Sequence, residues 1–446
     1  MPDPAPPTVA SQSSIVQRDT KGKVEIHDRN YKMISFSLAL IVLVVGVLAR
    51  ANSNSPVSNS NYQRVPRRDV PEQAQVIDWK SFNVLPTVLP PVLSNATTIF
   101  VPPGHELESL TEKPFHIYDD DFYDIIGDNP TLTLIANTGT IPMFHEAAVW
   151  YPPTDEMFFV QNAGVAGTGL NKSNVILKIS LSEAAAVSNT RNATGSVNVQ
   201  TVDAPAILNS NGATNYRGQL VFTAEGQGDN KTSQLVVMNP QEPYNTTILL
   251  NNYFGRQFNS LNDLTVNPRN KELYFTDTLY GYLQDFRPVP GLRNQVYRYN
   301  DKTGAVAAVA DGFSLPNGIT FSPDGSYAYI TDTGANRGLW GYNFTEPSSI
   351  YRYEVKEDGT WENRKLFAYV GSGVPDGIHC DSNGNVYSGC GDGVQVWNPA
   401  GKLLGKIFLG KTSANFNFAG DGRMVILGEE DLYYATLGAS GGQYIE

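Results

Sequence analysis

The sequence predicts an all-β fold, a six-bladed β-propeller, on three observations. An oxygen-bearing side chain recurs at matching points of a strand pattern, at Glu146, Asn211, Asn262, Asn317, Asp376 and Asn415. Around each lies the same unit: a polar residue, an alternating apolar run, a turn rich in Pro, Asp, Asn and Gly, and a second apolar run. It is clearest in "NDLTVNPRNKELYFTD" from Asn262, "NGITFSPDGSYAYITD" from Asn317 and "DGIHCDSNGNVYSGC" from Asp376. Finally, 40 Gly and 28 Pro accompany no sustained helical apolar period outside the N-terminal segment, so turns rather than helices punctuate the chain.

From the N-terminus, residues 1–32 are polar and aperiodic, and the uncharged run "MISFSLALIVLVVGVLA" follows at Met33 to Ala49. That run sits at the short limit for a membrane-spanning helix and just above a signal-peptide core. Segment 33–51 therefore reads as a signal peptide cleaved after Ala49-Arg50-Ala51 or as a retained type II signal anchor, with Lys21, Lys23, Arg29 and Lys32 on the cytoplasmic side. Residues 52–68 form a linker or pro-segment ending at the dibasic Arg67-Arg68. Either reading places residues 69–446 outside the cytosol, secreted or membrane-tethered, and N-glycan acceptor patterns at Asn95, Asn171, Asn192, Asn230, Asn245 and Asn343 agree.

From Asp69 to about Pro142 the pattern is irregular, with "LPTVLPPVL" and the acidic "YDDDFYD", which reads as a solvated loop. This stretch is expected to wrap the propeller and close its last blade. Thereafter Asn, Asp and Gly in each turn supply the positive φ of tight hairpins. Weaker copies start at Glu146 ("EAAVWYPPTDEMFFVQ"), Asn211 ("NGATNYRGQLVFTAEG") and Asn415 ("NFNFAGDGRMVILGEE"). Spacings of roughly 40 to 65 residues suit four-stranded blades with inserted loops.

A chain of 446 residues, 41% hydrophobic, can bury one large β domain. Its net charge of −12, without a basic cluster interleaved with aromatics, excludes a nucleic-acid partner. The two cysteines, Cys380 and Cys390, fall out of register on one predicted hairpin and read as buried free thiols, a bridge needing backbone movement.

Chemistry follows from the ring. The first strand of each blade lies nearest the channel, so one phase of the repeat sends one side chain per blade toward the axis. Glu146, Asn262, Asn317 and Asp376 stand in the strongest motifs, "HEAAVW", "FNSLND", "LPNG" and "VPDG". Two carboxylates and two amide carbonyls make a hard, anionic site that suits Ca²⁺, with Mg²⁺ or Mn²⁺ as alternatives. Zn²⁺ is the poorest match, since the ring holds neither thiolate nor imidazole. Singly, "PNG" and "PDG" read as turn dipeptides; their recurrence at equal phase is what points to a site.

The runs "FNSLNDLTVNPRNKELYFTDTLYGYL", "LPNGITFSPDGSYAYITDTG" and "VPDGIHCDSNGNVYSGCGDGVQVWNPAGKLLGKI" resemble the gluconolactonase/regucalcin (senescence marker protein) family of lactonases over roughly residues 140 to 436. The resemblance implies a divalent cation held by Glu146, Asn262, Asn317 and Asp376, and a small-molecule lactone as substrate, sugar aldonolactones first. It implies substrate contact for Asp263, and a pocket rim at Tyr280 and Gly281. Asn211 and Asn415 are expected to line the same channel. It thins at "AEGQGDN" and "GIHC", positions that bear on substrate choice.

Lewis-acid polarisation of the lactone carbonyl, with a general base for water, is the expected mechanism. Asp376 is the first candidate base, with His145 and His379 as alternatives. Phe258, Tyr280 and Trp340 are candidate apolar walls, core packing being the ordinary fate of each. No G-x-S-x-G elbow supports a serine nucleophile. The rival reading is a binding propeller, or a metal-independent enzyme like strictosidine synthase on the same architecture.

Overall fold

The computed structural model describes residues 68–91, 98–163, 169–190 and 196–442. The predicted signal or anchor segment, the linker, and the acceptor sites Asn95 and Asn192 lie outside them. Among the described residues no helix is long and apolar enough to cross a membrane.

Six antiparallel sheets form the propeller. Blade I comprises Glu146–Tyr151, Glu156–Val160, Ile176–Ser180 and Gln200–Val202; blade II, Ser210–Tyr216, Gln219–Ala224, Gln234–Met238 and Thr246–Leu250. Blade III comprises Leu261–Val266, Leu273–Asp277, Gln295–Asn300 and Ala305–Ala310; blade IV, Pro316–Phe321, Tyr327–Asp332, Ser349–Val355 and Trp361–Tyr369. Blade V runs Ile378–Cys380, Val386–Cys390, Gly393–Trp397 and Leu403–Phe408. Blade VI takes Asn415–Phe418, Asp421–Gly428 and Asp431–Ser440, and its outermost strand is the N-terminal Thr131–Asn137. That strand pairs Asp431 with Asn137 and Thr436 with Thr131, so the chain ends close the ring. Blade V is widened by Phe115–Ile117, antiparallel to Leu403–Phe408, and by Ala74–Val76, parallel to Phe115–Ile117.

The hairpins form where the turn chemistry places them. Arg217 and Gly218 both have positive φ, 51° and 72°, the backbone of a two-residue hairpin turn between Tyr216 and Gln219. The core lies between blades. In Gln219–Ala224, Phe222 packs toward blade I with Val149 and Phe158, while its neighbour Val221 faces blade III with Leu261 and Phe275. Successive side chains point to opposite faces and both faces are covered, which is why these strands read as near-continuous apolar runs. Cys380 and Cys390 are buried and unpaired. Of the acidic run, Asp119 accepts from Lys402 Nζ at 2.7 Å.

Candidate functional site

The innermost strands of blades I to IV share an irregularity. Each shifts register against its neighbour over a short span, between Glu146 and Val149, Ser210 and Ala213, Leu261 and Leu264, and Pro316 and Ile319. Glu146, Asn211, Asn262 and Asn317 lie at these bulges, which re-aim side chains out of the pleat. Ala147 even adopts a φ of 57° to continue the strand.

A threonine near the end of the second strand clamps the bulge and reaches the next blade. Thr223 Oγ1 accepts from Gly212 N at 2.7 Å and donates to Asn262 O at 2.6 Å. Thr276 Oγ1 accepts from Asp263 N at 3.0 Å and donates to Asn317 O at 2.8 Å, and Thr331 Oγ1 donates to Asp376 O at 3.0 Å. The glycine after the ring residue serves this approach rather than a turn. A Cβ at Gly212 would meet Asn262 O at 2.7 Å, and one at Gly318 would meet Asp376 O at 2.4 Å.

One cavity of about 320 Å³ is lined by Glu146, Asn211, Asn262, Asn317 and Asp376 together. His145, Asn162, Tyr280, Gln284, Asn336, Leu339, Tyr342, Val374, Thr412 and Glu429 complete most of its wall. Three ring oxygens, Asn211 Oδ1, Asn262 Oδ1 and Asp376 Oδ1, are buried without a hydrogen-bond partner. Buried polar atoms ordinarily find partners, so a set of orphaned oxygens on one cavity fits a cation or a ligand's donors. The ring offers two carboxylates with amides; among the described residues no group of three His, Cys, Asp or Glu is placed to hold a metal.

The carboxylates are strained electrostatically. Burial raises Glu146 well above the ordinary carboxylate range, and Asp376 adds to the shift while the Asn415 amide opposes it. Burial lifts Asp376 to about 6; Glu429 pushes further up, and His145, Glu146 and Asn317 pull back. Two carboxyl groups facing one buried space disfavour joint ionisation unless a positive charge joins them.

His145 Nδ1 lies 2.9 Å from Glu429 Oε1, and the Asn162 amide is 3.3 Å from both ring nitrogens. Burial works against the imidazolium, but the charge and hydrogen bond of Glu429 outweigh it, and His145 titrates above its ordinary value. Glu429 itself has a φ of 66° and exchanges backbone hydrogen bonds with Phe144. It stands just past the second strand of blade VI. Asp277 and Asp332, the last residues of the second strands of blades III and IV, accept loop amides instead, from Ser260 and Asn259 and from Leu315 and Ser314. Sequence reasoning passed over Glu429, although a recurring acid at the end of second strands was the available signal. It also passed over Asn162, Thr412 and Tyr342, which stand in loops without a repeat phase.

Of the remaining expected site residues, Tyr280 lies on the cavity wall, and Asp263, Asn415, His379, Phe258 and Trp340 lie off it. Asp263 accepts from Leu264 N at 2.8 Å and from Ile319 N at 3.0 Å, tying blade III to blade IV, and burial lifts it to about 7. Asn415 donates to Glu146 Oε2. His379 packs edge-on against Phe416 at 5.2 Å, and burial lowers it to about 4, leaving a neutral imidazole. Tyr280 lines the cavity, its hydroxyl 2.7 Å from Thr333 Oγ1. Phe258 is fully buried against Phe275 and Tyr297, and Trp340 stands exposed beside Tyr282.

Fold and site together define a six-bladed propeller with an oxygen-rich axial cavity. Residues 182–427 match the family described as SMP-30/Gluconolactonase/LRE-like region, and the chain belongs to that family. It is 30% identical over 319 residues to lactonohydrolase oryL of Aspergillus oryzae, covering 66% of this chain and 67% of the relative. It is 29% identical over 172 residues to the gluconolactonase of Zymomonas mobilis, covering 36% of this chain and 45% of the relative. Among solved structures, a gluconolactonase from Xanthomonas campestris shares the fold with a TM-score of 0.56 at 24% identity, over 73% of this chain and 95% of that one.

Proposed function

We propose that the protein hydrolyses lactones at the axial cavity, as its relatives' names indicate for them. The observation that carries the reading is the convergence of Glu146, Asn262, Asn317 and Asp376 on one cavity with orphaned oxygens among them. These four would hold a divalent cation, Ca²⁺ first by their hard oxygen chemistry, and its bound form would supply Lewis-acid polarisation of the lactone carbonyl.

The chain's own residues do the rest. Asp376 is the first candidate for taking the proton from the attacking water, since it stands on the cavity with one carboxylate oxygen free of protein donors. His145 is the second, a cavity-lining imidazole held by Glu429 at Nδ1, with the Asn162 amide 3.3 Å from its Nε2. Asn211 and Asn162 supply amides to the lactone's polar atoms. His379, neutral and packed on Phe416, is the weaker third candidate. A role for Asp263 would pass through the bulge that carries Asn262.

The test is purified enzyme, assayed by pH-stat for proton release over a panel of aldono- and aliphatic lactones, with elemental analysis of bound metal. No release above the spontaneous rate across the panel would sink the reading and leave the binding propeller.

We also assign the propeller to the extracytosolic side, secreted or tethered, since the sequons at Asn171, Asn230 and Asn245 are exposed. Peptide N-glycosidase treatment of the native protein should lower its apparent mass; an unchanged mass would remove that support.

A further inference from the structure

The cavity wall differs from side to side. Toward blades I and VI it presents His145, Asn162, Thr412 and Glu429; toward the loops of blades III to V it presents Tyr280, Leu339, Tyr342 and Val374, with the amides Gln284 and Asn336 among them. Leu339 and Tyr342 line the cavity and are also 69% and 50% exposed, which puts them at its mouth. Their neighbours Trp340 and Phe344 are 62% and 55% exposed, so one loop carries four large apolar side chains in water.

Slackness does not account for this exposure. The loop is cross-bonded by Asn343 N to Ala335 O, Arg337 N to Gly341 O and Ala335 N to Pro347 O, each 2.8 Å. The Tyr280 hydroxyl donates to Asn336 O at 3.1 Å, fixing the loop to the helix Tyr280–Leu283 of blade III. Tyr342 and Phe344 are stacked at 5.6 Å with planes 10° apart. A braced loop that holds apolar surface in water at a cavity mouth is a preformed contact for an apolar ligand group.

We propose that the substrate is a lactone bearing an aliphatic substituent, seated with its ring carbonyl at the axial oxygens and its chain across Leu339 and Tyr342; this rests on the lactonase reading above. The polar floor fixes one end of the molecule, and what projects from the ring leaves by the mouth. A sugar lactone's hydroxyls can be answered by Gln284 and Asn336 on this side of the wall, but those that reach the exposed mouth meet the Leu339 side chain and the Tyr342 ring. An alkyl chain removes the same surface from water, at about a fourfold gain per fully buried methylene.

The experiment compares kcat/KM for δ-valerolactone, its pentyl-substituted form δ-decalactone, and glucono-1,5-lactone, each corrected for spontaneous opening. The pentyl lactone should exceed δ-valerolactone by roughly tenfold or more, a partly buried chain's worth, and should exceed the sugar lactone as well. Leu339→Ser combined with Tyr342→Ser should bring the pentyl-to-unsubstituted ratio toward one, while Leu339→Met keeps it. A wild-type ratio at or below one overturns the proposal whatever the variants do, as does preference for the sugar lactone. A ratio unmoved in a folded double serine variant also overturns it and leaves the apolar loop as a protein-docking surface. Turnover of none of the three is a different failure, that of the lactonase reading itself.

Discussion

Asn415 donates its side-chain amide to Glu146 Oε2 at 2.6 Å, joining the inner strand of blade VI to that of blade I. The other end of the amide accepts from Phe416 N at 2.7 Å, which fixes its orientation. Glu146 thus enters the cavity already held by the last blade, and the integrity of that contact and of the ring become one property.

Asn415→Leu should therefore reach beyond its own position. It leaves a buried carboxylate oxygen without its donor, a loss of about 1–3 kcal/mol in stability. Partners that orient a ligand typically matter ~10–100-fold in metal affinity. Calorimetric titration with Ca²⁺ and a thermal melt should both register the change; an unaltered Ca²⁺ affinity would detach Asn415 from the site.

Asp376→Asn keeps size and removes charge at the cavity. The fold should survive, and lactone turnover should fall by roughly 10²–10⁴, the range for loss of a general base. If turnover persists, His145 is the base. Glu429→Gln then decides the matter, because the carboxylate that holds His145 above its ordinary value is gone and the acid limb of the pH–rate profile should move to lower pH.

How much of this was legible follows from periodicity. The six residues share a repeat phase, and five of them, Glu146, Asn211, Asn262, Asn317 and Asp376, line one cavity, whereas Asn415, expected there too, is turned to Glu146 instead. The closing strand Thr131–Asn137 was foreseen only as a segment, since "TLTLIAN" carries no mark of which strand it will join. Glu429 and Leu339 were hidden for different reasons. The first lies just past the end of a second strand, near where the acids of blades III and IV anchor loops, and the approach of His145 distinguishes it. The second lies in a blade IV insertion, where no period exists to assign a direction. Asp263 shows the reverse case: adjacent to a ring residue in sequence, it is off the cavity wall because the bulge turns its carboxylate onto the backbone amides of Leu264 and Ile319.

Gly318→Ala tests the reading of "PNG" and "PDG". Were these turns, a methyl group would be mild, but the added Cβ would lie 2.4 Å from the Asp376 carbonyl oxygen, against backbone that cannot step aside. Overpacking of this kind costs about 1–3 kcal/mol, and the displaced strand carries Asp376 with it. A lower melting temperature with weakened Ca²⁺ binding is expected. Wild-type behaviour in both would return the glycine to an ordinary turn role.

Cation removal should have a pH-dependent cost whose sign is fixed by the carboxylates. Burial, and then the charge of Asp376, raise Glu146 well above its usual range, and burial, with Glu429 adding to it, lifts Asp376 to about 6. In the unfolded chain such groups titrate near ~4. Between those values the native state retains protons that the unfolded state has lost, so the stability of chelated protein falls as pH rises through the window. Above it, both forms are ionised and the full penalty of the buried charges stands. A divalent cation held at the ring, as proposed, would reverse that penalty and compete with the same protons. Ca²⁺ at a hundredfold excess over Kd stabilises the native state by about 2.7 kcal/mol, so the rise in Tm on adding Ca²⁺ should be large at about pH 7.5 and small at about pH 5, the acid side of the Asp376 titration. Chelation at the higher pH should lower Tm and abolish lactone hydrolysis together, and Ca²⁺ should restore both. Equal shifts at the two pH values would separate the cation from these carboxylates; full activity after chelation, with metal loss confirmed by elemental analysis, would end the metal-dependent mechanism.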